Sequence, residues 1–85
     1  MNKKQINYAL LTLQHWLENT YAKEGDQDDE YILHLHTMLP KMRQMLESGD
    51  TEKLMRWLGF IQGVLWAYDY FTIDELREMN TKDIQ

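Results

Sequence analysis

Leu54-Met55-Arg56-Trp57-Leu58-Gly59-Phe60-Ile61-Gln62-Gly63-Val64-Leu65-Trp66 points apolar side chains in almost every direction around a helix. A helix of that kind must be covered on most sides, so the stretch predicts an all-α domain built around it. Only Arg56, Gly59, Gln62 and Gly63 interrupt the apolar run. At helical spacing Arg56, Gly59 and Gly63 share one face, a shallow groove with a cation at one end. Glycine at both positions is expected to let a neighbouring helix come close. In water this Gly-x-x-x-Gly spacing is a packing feature, and its membrane-dimer meaning does not transfer.

The flanking sequence supplies the cover. Ile6, Leu10, Leu13, Leu17 and Tyr21 recur at steps of four and three, the stripe of an amphipathic helix. Asn2 can cap it, with Gln5 in the capping-box position, and Gly25 offers a stop. Ile32, Leu35, Leu39, Met42 and Leu46 repeat the pattern, with Asp28 as a cap and Gly49 as an end. Pro40 falls inside this second stripe, removing one hydrogen bond and pressing on the carbonyl of His36, so a kink or split is expected near Leu39. Thr72-Ile73-Asp74-Glu75 is a further capping box. The expected helices therefore cover about 3–23, 28–48, 51–69 and 73–80, with a frayed tail after Asn80. The three long ones, each about 30 Å, can lie side by side as a compact antiparallel bundle, with the short C-terminal helix added. The third helix is expected to pack against both of the others.

Composition narrows the function classes. A chain of 85 residues is one small domain with little stability to spare, and without cysteine it has no disulfide framework or thiolate zinc site. The N-terminal Lys3-Lys4 pair precedes no apolar core of a signal peptide, and the run Trp57 to Tyr68 is shorter than the ~20 residues that span a bilayer. A cytoplasmic location without a transmembrane segment is the resulting expectation. The net charge of −5, from 14 acidic and 9 basic residues, opposes direct nucleic-acid binding. Basic side chains interspersed among the acids also argue against a DNA mimic.

The candidate chemical constellations mostly dissolve. His34 and His36 stand two apart and point to opposite sides of a helix, whereas a helical chelate needs a spacing of three or four. His36, beneath Pro40, is expected to be partly buried. The acidic block from Asp26 to Glu30 resembles the start of a calcium loop, yet Tyr31 and Thr37 stand where glycine and a bidentate glutamate are required. No nucleophile motif, phosphate-cradling loop or carboxylate pair in an apolar stretch is present, so the expectation is a protein that is not an enzyme and carries no metal or cofactor.

Aromatic residues are the remaining resource. Trp57, Phe60, Trp66, Tyr68, Tyr70 and Phe71 fall within fifteen positions, more than a domain this size readily covers. Most are expected in the core, with two or three left to form a protein interface. Arg56 has two readings. Its stem can lie across Trp57 or Phe60 with its charge meeting Glu52, or its guanidinium can pair with a partner's carboxylate or an anionic ligand. The candidate binding residues are Arg56, Trp57, Gly59, Phe60, Gly63, Trp66 and Tyr70.

Met38-Leu39-Pro40-Lys41-Met42-Arg43, the stretch from Leu54 to Trp66, and Tyr70-Phe71-Thr72-Ile73-Asp74-Glu75-Leu76-Arg77 together resemble small accessory proteins of tailed bacteriophages. Within that group the likeness is to the RIII lysis-inhibition accessory proteins of T4-like phages, and it covers somewhat more than the C-terminal half. The resemblance implies a cytoplasmic helical protein that delays lysis through the holin and antiholin system. The sequence reading is thus a non-catalytic protein that binds a phage or host protein and can form a homodimer. The alternative is an inhibitor of a host defence system, acting on a defence protein or sequestering a small anionic signalling ligand near Arg56.

Overall fold

The capping residues open the helices where the sequence places them. In the computed structural model, which describes residues 1–21 and 30–82 without the side chains of residues 20, 21 and 31, Asn2 accepts from the amide of Gln5 at 2.8 Å. Gln5 reaches back to the amide of Asn2 at 2.9 Å, so two otherwise orphaned donors are satisfied at the start of α1, Lys3–Trp16. The chain continues as a π-helical turn, Leu17–Tyr21. After α2, Glu30–Leu33, and α3, Leu35–Ser48, Gly49 adopts a left-handed conformation at φ 85° that closes the helix. Asp50 caps α4, Thr51–Ala67. The Thr72/Glu75 box opens α5, Ile73–Thr81. Among the described residues the chain is all-α, with no strand. The expected end of the first helix near Lys23, its stop at Gly25, the Asp28 cap, most of the acidic block and the last residues of the tail lie outside the described residues.

The helix carrying Pro40 differs from expectation. Its break falls at His34, whose carbonyl accepts from both Thr37 at 3.0 Å and Met38 at 3.1 Å, tightening the chain into a turn between α2 and α3. Pro40 itself lies inside α3. Both Pro40 and His36, whose carbonyl loses its amide donor there, are exposed, so water can replace the missing bond. His36 is accordingly not the partly buried residue that the sequence suggests.

Ile6, Leu10, Leu13 and Leu17 from the first stripe, and Ile32, Leu35, Leu39 and Met42 from the second, all enter the core, whereas Leu46 is half-buried. Leu54, Leu58, Ile61 and Leu65 of α4 and Leu76 and Met79 of α5 complete it. Close contacts join α1 to α3, α1 to α5, and α3 to α4. Arg43 of α3 ties α1 in place, donating to Gln14 at 2.9 Å and Asn7 at 3.4 Å. The radius of gyration is 12.4 Å, close to the roughly 12 Å of a compact chain this long. Among the described residues no helix is long and apolar enough to cross a membrane.

Candidate functional site

Helix α4 carries most of the candidate binding residues, and it is covered on one side only. Leu54, Leu58, Ile61 and Leu65 recur at steps of four and three and face the core, so four sequential turns contribute to one buried stripe. Gln62, 7% exposed, extends this stripe as a buried polar residue. Its Nε2 donates to Asn80 Oδ1 at 2.6 Å, and Asn80 Nδ2 donates back to Gln62 Oε1 at 2.8 Å. The sulfur of Met79 lies 3.4 Å from the same nitrogen. A buried amide costs about 1 to 3 kcal/mol when unpaired, and this reciprocal pair removes that penalty while fastening α5 to α4.

The opposite face is open. Phe60 is 62% exposed and Trp66 52%, and Met55 is exposed beside them. A Cβ added at Gly59 or Gly63 would meet nothing within 4 Å. Among the described residues no helix approaches the two glycines, which corrects the expectation of close packing there within the molecule. The reason is that α4 packs against α3 and meets α5 through the Gln62–Asn80 pair, both away from the glycines, leaving the glycine face outermost.

Arg56 lies on that outer face, 67% exposed, with Nη1 3.4 Å from the carboxylate of Glu52. An exposed pair one helical turn apart contributes only about 0.3 to 0.5 kcal/mol. It is Lys53, not Arg56, whose cation lies over the Trp57 ring, 5.4 Å from its centroid. Trp57 is half-buried against the core. Tyr70 is drawn away from the outer face, its ring 5.2 Å from that of Trp16 in an edge-on arrangement, with Phe71 5.3 Å from the same indole. These three rings join the end of α1 to the connection between α4 and α5. The sequence offered no pairing signal for Trp16, because it stands more than fifty positions from its partners.

Phe60 borders a concavity of about 350 Å³ between α4 and the α2/α3 turn, lined also by Glu30, His34, Leu35, Met38, Ile61 and Val64. Its floor is aliphatic and its rim carries a carboxylate and an imidazole. Only Phe60 among these residues is a candidate from the sequence. Leu35 belongs to the expected core stripe, Met38 and Ile61 are buried beside it, and only packing shows that the three also line a groove. A smaller concavity, about 190 Å³, lies between α1 and α3, where Arg43 and His36 join Gln14, Leu17, Glu18, Leu39 and Pro40. Among the described residues no group of three or more histidines, aspartates or glutamates is placed to hold a metal ion. Chemically, the α4 surface can bury apolar side chains and offer one planar cation. Compared with family models, curated proteins and solved structures, the chain matches none.

Proposed function

We propose that this chain is a non-catalytic accessory protein of phage type that works by stoichiometric binding of a phage or host protein. The observation that carries the reading is the groove beside α4. A small protein that leaves Phe60 mostly in water beside an aliphatic concavity has a ready seat for an apolar side chain presented by another protein's helix. Lysis inhibition through the holin and antiholin system is the specific role, and its support is the sequence resemblance. The antiparallel bundle supplies the rigid platform, and the exposed aromatics favour a homodimer as the working form. Anti-defence action, by binding a defence protein or by sequestering a small anion near Arg56, has less support, since Arg56 stands two-thirds exposed and already faces Glu52.

Lysis timing tests the reading. Expressed in a host infected by a T4-like phage, the wild-type chain is expected to delay lysis, and Phe60→Glu to abolish the delay while circular dichroism shows unchanged helix content. A Phe60→Glu variant that delays lysis as well as the wild type would exclude the groove, and a wild-type chain without effect on timing would exclude lysis control.

A further inference from the structure

We propose that the outer face of α4 is covered by a second copy of this chain, the two α4 helices running antiparallel about a two-fold axis that crosses them near positions 60 to 62. This deepens the proposed self-association by naming its face and direction, and it rests on that association but not on the identity of any foreign partner.

The argument comes from which residues stand on which side of the exposed face. With about 100° between successive helical residues, Phe60 stands on the flank towards α3. Met55 and Trp66 stand on the flank towards α5, with Gly63 between them. A two-fold axis perpendicular to the helices brings each flank against the same flank of the partner, in reversed order. Phe60 then meets the partner's Phe60, an aromatic pair at the axis. Met55 meets the partner's Trp66, and Trp66 the partner's Met55, two sulfur–aromatic contacts. Gly59 faces the partner's Gly63, and the bare backbone there lets the helices approach. Every one of these pairs is centred between positions 60 and 62, so a single register covers all three exposed large apolar residues of the face.

Charge selects the same direction. In a parallel pair Arg56 would stand beside the partner's Arg56. Antiparallel pairing carries Arg56 instead to the level of the partner's Val64 to the partner's Trp66, in the last turn at the negative end of α4, which contains no basic residue. Because Phe60 also borders the groove, the pairing sets the two grooves side by side, and each copy contributes an aromatic wall to its neighbour's site.

The chain has no cysteine, which makes cross-linking decisive. Sedimentation of the full chain at tens of micromolar is expected to give twice the 10.3 kDa mass. Gly63→Leu, which fills the open face, is expected to return it to the monomer with unchanged helix content. An oxidised mixture of Met55→Cys and Trp66→Cys chains is expected to yield a disulfide-linked pair containing one of each, whereas neither variant links to itself. A monomer at every concentration would overturn the self-association. A dimer in which Met55→Cys links to itself, or one that persists in Gly63→Leu, would overturn this face and direction while leaving association standing. Phe60→Glu alters the groove and the axis together, so the lysis timing of Gly63→Leu, which leaves the groove's lining residues in place, separates the foreign partner from self-association.

Discussion

Gln62 and Asp69 show how single residues hold α5 where it is. Gln62 is the one buried polar residue among the described positions, and its amide closes a two-bond ring with Asn80. Gln62→Leu keeps the volume but strands the Asn80 amide, so it is expected to cost about 1 to 3 kcal/mol in urea unfolding. Adding Asn80→Leu should recover part of that loss, a coupling that a double-mutant cycle reads directly. Asp69 follows α4 with φ 62°, in a conformation that glycine adopts more readily. Its amide reaches the carbonyl of Trp66 at 3.0 Å and that of Tyr70 reaches Leu65 at 2.9 Å, the two bonds that end a helix with a left-handed residue. Asp69→Gly removes the strain at the left-handed position, worth about 1 to 2 kcal/mol, against a higher backbone entropy in the unfolded chain. The expected net effect is a melting temperature raised by a few degrees.

At the scale of elements, the contest is between local signals and packing. Both capping boxes and the Gly49 stop were legible because each depends on residues within one turn, and a cap's hydrogen bonds are the same whatever the helix packs against. Pro40 was legible as a perturbation but misplaced as a boundary, since the break falls at His34 and α3 continues through the proline. Pro40→Ala restores an amide facing the His36 carbonyl and removes the ring contact, and it is expected to stabilise the protein by roughly 1 to 3 kcal/mol with helix content held or raised. Lower helix content in circular dichroism would show that the proline begins a separate helix. The apolar richness of α4 misled in a different way. A helix with apolar residues on nearly all sides reads as enclosed, yet α4 is enclosed on one side, and Phe60 and Trp66 remain in water.

Across the whole molecule, closure depends on contacts between distant parts of the chain. Trp16 receives Tyr70 and Phe71 where the end of α1 meets the turn before α5. Trp16→Ala is expected to cost about 2 to 4 kcal/mol, less than a fully enclosed tryptophan because the ring is half-buried, and to lower the thermal midpoint by 10 °C or more in a domain this small. Such a variant should leave the outer face of α4 intact, so dimerisation measured well below the midpoint is expected to persist. Loss of dimerisation there would place the aromatic cluster within the interface.

The sequence by itself determined the helical class, the heptad-like stripes that enter the core, and both capping boxes, because periodicity and capping act over one to two turns of backbone. Tertiary structure alone decided which side of α4 meets solvent. Leu58 and Phe60 are both apolar, and only the packing of α4 onto the core buries one and exposes the other. The same holds for the groove, whose floor joins Leu35 of the expected core stripe to Met38, Ile61 and Val64. Concavity arises where two packed helices diverge, and no stretch of a single helix records how far its neighbour stands from it.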